Sequence, residues 1–312
     1  MRAEALLILG AACALASGAI GCASNKSRTA GDYFTEANDN FREGALTIAI
    51  DQFHELLDQH PFSEHNEEAE LKIAHAHYLA GNHAEAIVAL TDFQRRHPTS
   101  PHLPFVGYYL GMCYVKQMGT IDRDQTNAQN AQAYFLTVSR QYPESPYALL
   151  ARQELSMCRE ELGGHELYVA DFYMTRGNDK AAEVRLLDLA ARYGETEAAA
   201  NGLLELASYY RKHKEKAFAA LAYETIIENT PKSPQADKAR KALAKLTADE
   251  PPDSTDPLGT LLAAKGRPRV DTSIETVKLP DVSKVRTARA APGPAPAAFA
   301  PSTSPFGRPR TY

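Results

Sequence analysis

Tryptophan is absent from this chain, so its 15 tyrosines and 11 phenylalanines must supply the large packing groups. Long apolar runs are nearly absent too. Beyond the N-terminus no stretch of about 18 or more apolar residues occurs, which excludes a membrane-spanning helix in the body. An excess of positive charge is also missing: the formal charge is -5 with no basic stripe, which argues against nucleic acid as a partner. There is no phosphate-binding glycine loop, no Gly-x-Ser-x-Gly elbow and no Cys/His constellation, so the chain is not expected to be an enzyme. Cysteine is scarce, at four. What the chain does have is 312 residues, 44% of them apolar, enough for a sizeable core and, on length alone, about two domains.

The one apolar run is "LLILGAACALASGAIGC", from Leu6 to Cys22, followed by polar "ASNKSRTAGD". Its length suits a secretory signal better than a core helix, although its basic end is only Arg2, offset by Glu4. "AIGC" (Ala19–Cys22) resembles the bacterial lipoprotein signal, in which the thiol of the last Cys is diacylated and becomes the new N-terminus. The preferred Leu three residues before that Cys is Ala19 here, and an ordinary signal peptide cut nearby is the alternative. On the lipoprotein reading, 1–21 is signal peptide, 22–31 is a lipidated linker, and Cys22 carries diacylglycerol and an N-acyl chain. No other cofactor is expected. Several acyl chains, at about 0.8 kcal/mol per buried CH2, anchor a domain firmly. Ala23 and Ser24 lack the Asp that, by the same resemblance, retains a lipoprotein in the inner membrane, so the periplasmic face of the cell outer membrane is expected. Cys13 then leaves with the signal, and only Cys113 and Cys158 remain. Either they pair, as an oxidising compartment permits, or they stay buried thiols in their apolar helical contexts.

Small residues mark a period. Ala37, Ala74, Gly111, Ala170 and Ala207 form one series, and Ala49, Ala86, Ala131, Ala182 and Ala219 a second. The second follows the first at +12 except in the third pair, where "MGTIDRDQTNAQ" adds eight residues. Bulky residues follow the second series at +4 (Phe53, Leu90, Phe135, Leu186, Tyr223) and +7 (Leu56, Phe93, Val138, Leu189, Ile226). Those offsets share one helical face. A stop comes at +12: Pro61, Pro98, Pro143, Gly194 and Pro231, proline ending a helix because it has no amide hydrogen and clashes with the preceding turn. Gly44, Gly81 and Gly177 supply turns between paired helices. This is the tetratricopeptide pattern of helix–turn–helix units, here spaced 37, 45, 51 and 37 residues apart. The fold class expected is all-α: a right-handed superhelical solenoid of about five repeats.

The 51-residue gap reads as helix from about Tyr147 to Arg176, with Gly163-Gly164 as a place where it breaks or continues. It divides a front module, 32–146, from a back module, 147–248, which ends in a capping helix, "SPQADKARKALAKL". From 249 to 312 the composition turns proline-rich, with 11 of the 19 prolines. Beyond Pro257 it also turns basic, with nine Lys/Arg against three Asp/Glu, so a disordered tail is expected. That tail is either solvated linker or a binder of some anionic partner.

In tetratricopeptide arrays the first helices line the concave face. Counting from the small markers, the side chains aimed into it are Phe34, Asn38 and Phe41, then Leu71, His75 and Tyr78, then Tyr108, Met112 and Val115. So apolar and aromatic a lining is either a groove for extended peptides or a core buried by neighbouring helices. Asp122 and Asp124 lack further ligands for a metal, and Asp124 is expected to cap a helix. His75 and His77, two apart, point to different faces.

The segments "DRDQTNAQNAQAYF" (Asp122–Phe135), "RQYPESPY" (Arg140–Tyr147) and "YVADFYMTRGNDKAAEVR" (Tyr168–Arg185) carry a resemblance to the BamD (ComL) family, over about Asp32 to Leu246. The family usually has a Trp near Asp179 and an Asn where this chain has Val184. The resemblance implies a lipoprotein subunit of the β-barrel assembly (BAM) machine of the outer membrane. Its front module would receive targeting signals of unfolded outer membrane proteins. Its back module would dock on a POTRA domain of a BamA-like β-barrel subunit, alongside other BAM lipoproteins, and Arg185 matches the contact arginine there. Read from residues alone, Arg185 is a surface i,i+3 partner of Asp188 or an interface anchor. A periplasmic tetratricopeptide lipoprotein for pilus assembly or cell division is the alternative function.

Overall fold

The computed structural model describes residues 28–246 and 255–268. Over these the chain is α-helical throughout. The first helices are α1 (Ala30–Glu43), α2 (Leu46–Gln59), α3 (Asn66–Leu79), α4 (His83–Arg96), α5 (Leu103–Val115) and α6 (Thr126–Gln141). Then come α7 (Pro146–Thr175), α8 (Asp179–Tyr193), α9 (Glu197–Lys212), α10 (Lys216–Asn229), α11 (Pro234–Leu246) and α12 (Pro257–Ala264). Each of the first ten packs on the next. Odd-numbered helices also meet one another, α3 with α5, α5 with α7, α7 with α9 and α9 with α11, as stacked hairpins require.

The periodic residues explain the stacking. All ten small markers are buried, and so are the ten bulky residues behind the second series. Gly111 and Gly107 set the approach of α5 to α6: a Cβ would lie 2.5 Å from the Phe135 ring at the first and 2.6 Å from Val138 at the second, so the helices meet this closely because neither position has a side chain. Between the helices of a pair, Gly44, Gly81 and Gly177 take left-handed φ of 82°, 80° and 73°. Lys214 stands at the equivalent place in the fifth repeat with φ 63°. In each, the next residue's amide donates back five residues, as in Ala45 N to Asn40 O and Glu215 N to Tyr210 O, both 2.9 Å.

Between pairs the device is equally regular. α2, α4, α6 and α10 end two residues before their proline. Two residues after each stop stands Ser63, Ser100, Ser145, Thr196 or Ser233. The hydroxyl of each accepts a backbone N–H at the entry of the following helix, from His65, His102, Tyr147, Ala199 and Ala236 at 3.0–3.2 Å. The recurring Pro-x-Ser or Gly-x-Thr phrase is therefore a stop followed by a cap.

α7 runs unbroken for 30 residues through both glycines. They face opposite neighbours. A Cβ on Gly163 would sit 3.1–3.4 Å from Thr196, Leu189 and Tyr193 of the back module, and one on Gly164 would sit 2.6 Å from Ile121 of the inserted loop. The loop is held there by a 2.6 Å bond between His165 Nδ1 and the Ile121 carbonyl. α7 thus belongs to two cores: Ala151 and Cys158 pack with the front helices, Ala170 with the back ones.

Two expectations are corrected. Asp124 is not the cap residue of α6; Gln125 is, and Asp124 accepts from Thr126, at 3.0 Å from the hydroxyl and 3.4 Å from the backbone N–H. The stretch expected to be disordered from 249 holds a helix where it is described: 257–264 forms α12, packed on α10 and α8. Its sequence carries its own ends. Asp256 accepts from Gly259 N at 3.0 Å, Pro257 opens the first turn, and Gly266 at φ 65° closes the last, with Arg267 N bonded to Leu262 O at 2.8 Å. The rest of the tail, and Cys22 with the N-terminal address, lie outside the described residues.

Candidate peptide and partner surfaces

The nine positions chosen for the concave face separate by depth. Leu71, His75, Tyr108 and Met112 are buried, whereas Phe34, Asn38, Phe41, Tyr78 and Val115 keep part of their surface in solvent. The odd-numbered helices bring most of them into one aromatic seam. Phe41 of α1 meets His75 of α3 at 5.7 Å between ring centroids, and His75 meets Phe105 and Tyr109 of α5 at 5.2 and 4.7 Å. Tyr78 packs edge-on against Tyr109 at 4.9 Å, and Tyr108 continues to Tyr147 of α7 at 5.6 Å. Phe34 stands apart, stacked on His65 at 4.7 Å.

The periodic count therefore missed Phe105, Tyr109 and Tyr147. Their signal was present in "FVGYYLGMCY", where aromatics fill both faces of a helix, because α5 lies between α3, α6 and α7 and has no free side. The seam also holds a cation. Lys72 Nζ lies 5.1 Å from the Phe41 ring centre and 3.5 Å from Glu68, and burial lowers its pKa despite that carboxylate. Burial, with Lys72 beside it, pushes His75 down to about 3, so the imidazole is neutral at physiological pH.

In the back module Arg185 on α8 pairs with Glu166 of α7, at 3.2 Å, and is partly exposed. The i,i+3 pair with Asp188, one of the two readings of Arg185, does not form; Asp188 is taken by Arg267, beyond α12. Neither partner was readable from local spacing, since one comes from 19 residues before and the other from 79 residues after. Between α7 and α9, burial and the neighbouring Asp171 charge push Glu205 up to about 7, so this carboxyl stays protonated well above the usual carboxylate range. Cys113 and Cys158 are free and buried; burial raises both thiols, Cys158 to about 12, which leaves them unreactive.

Among the described residues no three His, Cys, Asp or Glu side chains converge to hold a metal ion, and no helix is long and apolar enough to cross a membrane. What the molecule offers is stacked hairpins with an aromatic seam in the front helices and a partly exposed Arg185 paired with Glu166 in the back ones. A family model described as YfiO, outer membrane lipoprotein, matches residues 26–226, more than half of the chain. The chain belongs to this family. Its matched part runs from before α1 into α10, so α11 and α12 lie beyond it. Among similar proteins are three outer membrane protein assembly factors named BamD. That of Caulobacter vibrioides is 30% identical over 52% of this chain and 53% of its own length. That of Neisseria meningitidis serogroup B is 28% identical over 64% and 79%, and that of Haemophilus influenzae 24% over 68% and 85%. The chain thus spans about half of the Caulobacter relative and about four fifths of the other two. The resemblance in the motifs and the matched family agree on BamD.

Proposed function

We propose that this chain is a lipoprotein subunit of the outer membrane β-barrel assembly machine, a scaffold rather than a catalyst. Membership of an outer membrane lipoprotein family, with relatives named as assembly factors, supports the coarse reading. The observation that carries the finer one is the aromatic seam. Phe41 and Tyr78 stay partly in solvent beside the buried Leu71, His75, Tyr108 and Met112, an arrangement that would suit the aromatic end of an extended segment from an unfolded barrel protein. Main-chain hydrogen bonds would hold the strand while the rings take its side chains. On the other module, Arg185 offers one guanidinium edge beyond its pair with Glu166, which suits a carboxylate on the periplasmic domain of a BamA-like barrel subunit. Acyl chains on Cys22 would hold both surfaces at the periplasmic face of the outer membrane.

Photo-crosslinkers placed at Phe41, Tyr78 and Arg185 in living cells test this division. Adducts from the first two are expected to be unfolded barrel proteins, and the adduct from Arg185 the barrel subunit. Swapped adducts, or none from the seam while Arg185 still crosslinks, would overturn the two-surface reading.

A further inference from the structure

The segment beyond the array ends in a cation cage. Leu261 and Leu262 of α12 are buried against α10 and α8. Next, Lys265 Nζ stands 2.9 Å from Glu183 and 3.0 Å from Glu215, and 4.4 and 4.3 Å from the ring centres of Tyr210 and Phe218. The Tyr210 hydroxyl donates to the same Glu183 at 2.7 Å, which fixes carboxylate and ring as one piece. Two residues on, Arg267 pairs with Asp188. Two carboxylates and two rings, drawn from α8, α9 and α10 and the turn between the last two, make more than a surface ion pair. The carboxylates supply charge, the rings exclude water and attract the cation, and one ammonium satisfies all four.

The ligand, by contrast, is small. An eight-residue helix does not persist alone in water, so α12 is a helix because it is docked. The cage residues lie within the family match, which ends at 226, and the segment that fills the cage begins only at Pro257. The site is thus part of the array, and its occupant is an extension of the chain.

We infer that the groove between α8 and α10 is a lysine-reading helix-docking site and that residues 257–267 are its displaceable ligand in cis. Docked, the segment staples repeats four and five along their second helices. Released, it uncovers an apolar trough, where Leu261 and Leu262 lay, rimmed by Glu183, Asp188 and Glu215. That trough fits a short helix with paired leucines followed by a lysine and an arginine. Asp188 stands one helical turn from Arg185, so release also frees an acidic group beside the candidate partner surface. The inference does not depend on what docks at Arg185.

Hydrogen exchange on the unmodified full chain gives the first test. The amides of 257–264 should exchange through a local opening, at least tenfold faster than those of Leu203 and Leu206 in α9, with Lys265→Met speeding the segment a further tenfold or so and leaving α9 unchanged. The second test adds a labelled peptide of sequence TDPLGTLLAAKGRP, residues 255–268, to the full chain. Leu261→Asp, which ejects the tethered copy, should bind it. The unmodified chain should bind it much more weakly, because a tethered ligand competes at millimolar effective concentration, and adding Glu183→Gln and Glu215→Gln to Leu261→Asp should abolish binding. Equal protection of 257–264 and α9, or peptide binding that ignores these carboxylates, would show α12 to be an ordinary fixed part of the fold.

Discussion

Lys214 is the one residue other than glycine with a positive φ among the described residues, at a turn where three other repeats use glycine. A side chain in that conformation costs about 1 kcal/mol, partly offset by the freedom glycine brings to the unfolded chain. Lys214→Gly is therefore expected to stabilise the protein by about 0.5–1 kcal/mol in chemical denaturation. His75 shows the reverse economy, a titratable ring kept neutral in an aromatic seam. Its folded pKa, about 3, lies below the unfolded value of 6.5, so the unfolded state binds the extra proton between those limits. The stability this ring allows is complete above pH 6.5 and is lost as pH falls toward 3, by about 1.4 kcal/mol per pH unit within that window. His75→Phe should flatten that acid limb and leave stability above pH 7 little changed, as urea midpoints measured from pH 7.5 to 4.5 would report. A parallel acid limb in both proteins would count against a neutral buried His75.

At the scale of the element, the glycine pair in α7 separates two packing roles that look identical in sequence. Alanine at either position gains up to about 1 kcal/mol of helix propensity. At Gly164 the new methyl meets only the end of Ile121, a partly exposed side chain that can swing away. At Gly163 it meets Thr196, Leu189 and Tyr193, which are packed between α8 and α9. Gly164→Ala should thus be neutral to stabilising, and Gly163→Ala less stable than Gly164→Ala by about 1 kcal/mol or more. Thermal melts of the two variants decide it. Elements of this kind were partly legible beforehand. The small–bulky–stop period located five helix pairs because each of its positions answers to one local cause, close approach, burial or the missing amide of proline. The serine or threonine after each stop was visible in the same phrases, but its role depends on which N–H it faces. α12 escaped notice because the composition of the whole tail, proline-rich and basic, masked "DPLGTLLAAKG", whose caps and paired leucines specify a helix only when a groove is there to bury them. Arg185 was placed on the right helix, yet its partner Glu166 and the taking of Asp188 by Arg267 are contacts between distant segments that no helical spacing encodes.

For the whole molecule, the account is that stacked hairpins hold two working faces in fixed relation, with α7 threaded through both cores as the common member. The central claim is that the seam of α1, α3 and α5 receives extended, aromatic-ended segments. Its most direct test is fluorescence anisotropy with the full chain and a labelled extended peptide ending in phenylalanine. Binding is predicted, weakened about tenfold by Phe41→Ser and by Tyr78→Ser, the loss expected when an aromatic contact in a binding groove is removed, and unaffected by Arg185→Ala. Affinity indifferent to both seam substitutions, or lost only with Arg185→Ala, would contradict it.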